Sequence, residues 1–405
     1  MAVVTRRMAV LTRRRVSGLP ALVVAALALV SFSAPAVAQV RLDQPTGTLT
    51  QDFGSIQTVR ELPDGRVLVA DPLGKALYAV DFDAGTRTQV GAEGQGPQEY
   101  RQPDAVWPLP GDSTLLVDLG NGRLVALGPS LKFGPTRPIA QGDFQPGQPL
   151  VLAIPQAVDG SGATYFRSMG GGLGGGELPD SGDILRLPRH GGAAETVARF
   201  KLQKRILHRS GGANRQNVSM EVIPLSPEDA WGVAADGSVV IARSGDYHVE
   251  WIARDGSVTR GQPVVYDALP IDDAEKKEYL AEQARSGGGI GVQVQVVDGR
   301  PSMSFQRGGP APKREIDQYT WPDRMPAFYG GRIPVDREGR AWVRRHVKAG
   351  QPSTYDVFDG RGARVGTVLL APGDKVVGFG DGAAYVVRFD DMDLSYLERY
   401  ALPAL

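Results

Sequence analysis

The 405-residue sequence contains no cysteine, and this removes several options at once. There can be no disulfide framework, no cysteine metal ligand and no lipid attached at a lipobox, so the folded part gains its stability from core burial alone. Histidine is scarce: His190, His208, His248 and His346 are scattered and no HExxH occurs, so each reads as a surface or strand residue rather than a metal ligand. GxSxG is missing, which removes the usual nucleophile elbow. "PGDST" at Pro110–Thr114 looks like the nucleophile block of GDS-type esterases, but the Asp-x-x-His partner of that block is absent and the tripeptide falls on a turn. The longest apolar run, Ala21–Val30, is too short to span a bilayer comfortably.

What is abundant is glycine, with 52 copies, and proline, with 30. Residues 1–38 form a leader: five arginines, the apolar run, then Ala36-Val37-Ala38 as a small-residue cleavage site before Gln39. They predict a signal peptide and an exported, periplasmic or extracellular protein, with Sec and twin-arginine routes both open. Without the leader the chain has 40 basic and 45 acidic side chains, a net charge of −5, which argues against nucleic-acid binding. No membrane span is expected after leader removal, and the expected state is a monomer.

Turns of the form Asp-Gly, Glu-Gly or Gly-Asp, each followed by a short Val-rich or aromatic run, recur at Asp64, Gly111, Asp159, Asp236, Glu338 and Asp381. They lie 47, 48, 77, 102 and 43 residues apart. A second turn follows in four units, at Gly85, Gly128, Asp255 and Asp359, so one unit is four short strands joined by tight turns. Asp-Gly suits type I′ hairpins, whose two central residues have positive φ. Runs such as "VLVA" are apolar at successive positions and must be covered on both faces, which predicts an all-β, six-bladed propeller over residues 39–405. The last unit has room for three strands, and "TGTLTQDF" is an unplaced strand near the start, so the N-terminal strand is expected to close the last blade.

Two long gaps call for insertions. "MGGGLGGGELPDSGD" from Met169 is a glycine-rich loop, not a framed nucleotide-binding GxGxxG. "PIDDAEKKEYLAEQARSGGG" from Pro270 is a short polar helix within an insertion at about 267–325. "GVQVQVVDG" after it is either a decorated loop or part of a seventh blade.

"GAEGQGPQEYRQPDAV", at Gly91–Val106, resembles the inter-blade signature of NHL-type six-bladed propellers. The C-terminal pattern "MPAFYGGRIPVDREGRAWVRR … YDVFDGRGARVGTVLL … YVVRFDDMDLSYLERYAL" is similar to exported bacterial six-bladed propeller proteins of undefined function. The resemblance implies a fold with ligands at one mouth of the central channel, and it implies little chemistry.

The functional expectation is a non-catalytic binding or scaffolding module for a protein, small-molecule or carbohydrate ligand, with no cofactor. Its candidate contact residues are Trp321, Arg324, Tyr329, Arg332, Trp342, Arg344 and Arg345, because Trp and Arg most often anchor interfaces. The alternative is a lactonase-like hydrolase or lyase with a single divalent cation, for which Asp71, Asp118, Asn121 and Asp236 are the candidate ligands. An adhesin reading would need Trp251 or Trp321 exposed at a mouth. Asn217-Val218-Ser219 fits a glycosylation acceptor that a bacterial leader makes redundant, and Asp390, Asp391 and Asp393 read as a solvated hairpin.

Overall fold

A computed structural model describes residues 38–141, 151–168, 178–212, 215–297, 300–308 and 315–405. Residues 1–37, nearly all of the expected leader, and Met169–Glu177 of the glycine-rich loop lie outside the described residues.

Six sheets form the blades of a propeller: each has four strands except that of blade four, which has five, and all pairing is antiparallel apart from one strand added in parallel to blade four and one to blade five. Blade one runs outward from Val59–Glu61 through Val67–Asp71 and Ala76–Asp81 to Thr86–Gln89. Its second strand is buried at all five positions, which is why the sequence there is apolar without alternation. Blades two and three repeat the plan from inner strands Pro103–Leu109 and Ala157–Val158, and blade four from Ala230–Val233. The predicted first turns all join inner to second strands, and the predicted second turns join third to fourth.

The turn chemistry differs from the type I′ expectation. Positive φ occurs at both residues of Gly111-Asp112, but at Gly65, Gly237, Gly256 and Gly339 only the glycine adopts it. There the glycine closes a three-residue loop: Gly65 donates to the Leu62 carbonyl while Leu62 donates to Arg66. Aspartate precedes Gly65, Gly237 and Gly256, and its carboxylate accepts the next backbone N–H, as Asp236 does from Ser238; before Gly339 stands Glu338, and Asp336 accepts the turn amides instead.

Ring closure uses the N-terminus twice. Gly47–Thr48 pairs antiparallel with Ser395–Ala401 as the outermost strand of blade six, as expected. Ala38–Arg41 then pairs in parallel with Arg364–Leu369 on the outside of blade five, which the sequence reading missed.

Blade five is irregular at its inner edge. Gly331–Arg332 leaves its own blade and pairs in parallel with Ala230–Val233 of blade four. A bridge from Val335 to Ala341, a bond from the Trp342 amide to the Pro334 carbonyl and bonds between Asp336 and Arg340 and Trp342 hold the segment to blade five. Blade four must carry glycine opposite: a Cβ at Gly232 would lie 2.2 Å from the Ile333 carbonyl oxygen.

The long connections all leave the same ends of the blades, the side of the inter-blade crossovers and second-to-third-strand turns. Two are two-stranded hairpins, Arg205–Gly212 with Arg215–Val222 and Ile290–Val297 with Arg300–Arg307. The second corrects the seventh-blade alternative for "GVQVQVVDG": it pairs only with its own return strand. Helix α1, Asp273–Arg285, lies before it in the blade four-to-five connection. A capping box between Asp272 and Glu275 starts α1, and Gly287 and Gly288, both at positive φ, follow its end.

Candidate functional site

Helix α1 has no apolar stripe, and its buried residues are Glu275 and Glu282, seven apart and so on one face. Ion pairs replace hydrophobic docking. Glu282 sits between Arg344 of blade five, at 2.5 Å, and Lys375 of blade six, at 2.8 Å, while Lys348 reaches Glu275 at 3.2 Å. Burial alone would raise the Glu282 carboxyl, but Arg344 and Lys375 outweigh it and hold it at about 2. The Arg344 guanidinium also lies 4.2 Å above the Tyr329 ring, which stacks on His346 at 3.7 Å. Burial, then Arg344, pushes His346 down to about 3, so this imidazole is neutral at physiological pH.

Beyond α1 the connection crosses to blades one and two. Gln57 donates to the Ser286 carbonyl, Gln102 exchanges two bonds with the Arg307 backbone, and the Arg307 side chain makes a two-bond ion pair with Asp104. Phe305 packs into the blade-two core beside Leu119 and Leu124. The insertion is thereby fixed over one mouth of the channel.

Beneath it lies a cavity of about 410 Å³. Gln57 and Thr58 of blade one, Asp104, Ala105 and Trp107 of blade two, Gln156 and Arg167 on the blade-three side, and Arg332 line it, with Ile290, Val292 and Arg307 from the insertion. Its size is at the lower end for small-molecule sites, and its wall mixes apolar surface with a few polar groups as such sites do. Arg332 enters because its backbone leaves blade five for blade four. Its guanidinium reaches across to lie 5.2 Å from the Trp107 ring centroid and donates to the Val377 carbonyl of blade six at 3.0 Å. Burial lowers its pKa to about 10, so it remains a cation at neutral pH.

The residues expected from sequence divide into groups. Arg332 lines the cavity, and Tyr329 and Arg344 form the cluster under α1. Trp342 is fully buried between blades five and six, where its indole N–H donates to Asp336. Arg345, 3.6 Å from Asp356, borders a separate peripheral groove of about 640 Å³ with His346 and Lys348. Trp321 packs against Tyr279 and Tyr319 within the insertion, and Arg324 donates to the Ala268 carbonyl. Trp251 is buried and bonds the Asp359 carbonyl of the next blade, the inter-blade role rather than an exposed one.

Among the metal candidates, Asp71 accepts the amides of Gly54, Ser55 and Gly74, and Asp118 accepts those of Arg101 and Gln102 together with Asn121 and Arg123 side chains. Each pins the crossover that feeds its own blade. Asp236 lies in a turn at the opposite end of the strands. Among the described residues no group of three or more His, Asp or Glu side chains is gathered as metal ligands would be.

Trp107, Asp104, Arg307, Glu282 and Lys375 escaped the sequence reading. Two buried glutamates seven apart on a helix without an apolar face were the available signal for the ionic dock; nothing local marked the others.

No family model and no curated protein matches this chain. Solved structures similar in fold include virginiamycin B lyase from Staphylococcus aureus, at 9% identity over 85% of this chain and 80% of that one, TM-score 0.35. A gluconolactonase from Xanthomonas campestris shows 12% identity over 92% and 99%, TM-score 0.38. A Bacteroides fragilis protein provisionally named as exported shows 12% over 90% and 98%, TM-score 0.41. These likenesses concern the fold and assign no chemistry.

Proposed function

We propose that this chain is an exported, non-catalytic binding propeller that holds a small ligand at the insertion-side mouth of its channel. The observation that carries this reading is the cavity itself: four blades and a docked insertion converge on about 410 Å³ whose apolar wall carries a few polar groups. A helix and hairpin fixed there by ion pairs are costly to hold for scaffolding alone, since each buried charge loses its hydration. Export is supported by the arginine-rich leader, and no described helix is long and apolar enough to cross a membrane.

A catalytic reading ranks second on one observation. Burial raises the pKa of the Glu228 carboxyl, which lies 3.7 Å from the cavity-lining Arg167. That is the property of a general acid.

The test is a small-molecule thermal-shift screen against the wild type and Val292→Trp. Val292 is exposed on the hairpin and lines the cavity, so the larger ring fills the space without disturbing a blade core. Hits should raise the melting temperature of the wild type and lose their effect in the variant. Hits that stabilise both proteins equally would place binding elsewhere. Turnover of a hit that Glu228→Gln abolishes would favour the second reading.

A further inference from the structure

We propose that the cavity is an anion site whose ligand is a small organic anion with a flat apolar body. The proposal rests on the channel-binding reading above and names the ligand class for that site.

The four arginines around the mouth are not equivalent. Arg344 is neutralised by Glu282, Arg307 by Asp104, and Arg167 approaches Glu228. Arg332 has no carboxylate partner among the described residues. Among the described residues, one bond to the Val377 carbonyl and the face of Trp107 are the guanidinium's only contacts of polar or ring type, although it carries five N–H donors. Arg332 is half-buried, and a partly desolvated cation without a counter-ion gains when a ligand supplies the charge. A guanidinium fork matches a carboxylate or phosphoryl group through two parallel bonds.

A second group points the same way. The Trp107 ring lines the same cavity beside this guanidinium, and its buried indole N–H has no acceptor among the described residues. A ligand oxygen on the Arg332 side would meet the guanidinium with the indole ring alongside. Leu152, Ile154, Pro155 and Ile290 supply apolar wall for the rest of the molecule. The competing explanation makes Arg332 a strut tying three blades together. Under that explanation, replacing Arg332 by an apolar residue of similar length loosens the ring; under the anion-site reading it removes an uncompensated charge and leaves stability equal or higher.

The experiment uses three probes that differ in charge on one ring: benzoate, phenyl phosphate and benzamide. Binding is measured by calorimetry and melting temperature on the wild type and Arg332→Met. Benzoate or phenyl phosphate should bind saturably and at least tenfold more tightly than neutral benzamide, and the variant should lose that preference without melting lower than the wild type. The wild-type comparison stands without the variant. Equal binding of benzamide and both anions, or unchanged anion binding by Arg332→Met, overturns the anion assignment while the channel reading survives. If none of the three binds and the wider screen also yields no hit sensitive to Val292→Trp, the channel reading falls with it.

Discussion

Replacing Glu282 by Gln tests whether the insertion is held on the ring by charge. In the wild type the carboxylate faces Arg344 at 2.5 Å and Lys375 at 2.8 Å, and all three groups are largely buried. The folded pKa of about 2 against 4.5 for the free residue corresponds to about 3 kcal/mol at 1.36 kcal/mol per unit. Deleting one partner of a buried ion pair typically costs about 3–5 kcal/mol, so the two routes agree. The sign follows from the lowered pKa: the contribution is full above about pH 4.5 and is lost as the pH falls toward 2. Hydrogen exchange of the α1 amides at neutral pH is the direct assay, because local opening of the insertion exposes them. Glu282→Gln should lower their protection by about two orders of magnitude while blade amides such as those of Val67–Asp71 change little. Protection within threefold of the wild type would refute ionic docking.

Burial and then Glu398 push the Asp374 carboxyl up to about 7, so its ionisation destabilises the fold: stability is lost as the pH rises from about 4 to 7 and is flat above, by up to about 4 kcal/mol. Urea titrations of Asp374→Asn at pH 5 and 8 should show that loss largely abolished. Trp342→Ala empties a fully buried site between blades five and six and should cost about 3–5 kcal/mol, read from the shift in denaturant midpoint. A chain beginning at Leu49 lacks the outer strands of blades five and six, and it should expose two sheet edges and aggregate in light scattering at a lower temperature than the longer chain.

The blades were legible because their signals are local. An Asp-Gly turn and a Val-rich run lie within ten residues of each other, and six copies at blade-length spacing leave few architectures to consider. Closure of blade six was readable as a missing strand at one end and a spare strand at the other. The parallel strand Ala38–Arg41 was hidden because it begins at the last residue of the expected leader. The hairpin from Arg205 to Val222 went unread because its sequence is polar, without the alternation of a half-buried strand.

The site was less legible, for a physical reason. Gln102 and Arg307 meet across 205 residues of sequence, and Arg332 meets Trp107 only because its backbone crosses from blade five to blade four. Residue type alone selected Arg332, which lines the cavity, and Arg344 and Tyr329, which lie under α1. It selected Trp342 on equal grounds, and no local pattern separates a tryptophan packed between blades from one facing a ligand.

The most direct measurement is anomalous diffraction at the bromine edge from crystals of the protein soaked in 4-bromobenzoate. The account predicts a bromine peak inside the channel cavity, with the carboxylate against the Arg332 guanidinium and the ring beside Trp107. A peak only in the peripheral groove beside Arg345 and His346, with the channel free of ligand, would contradict it.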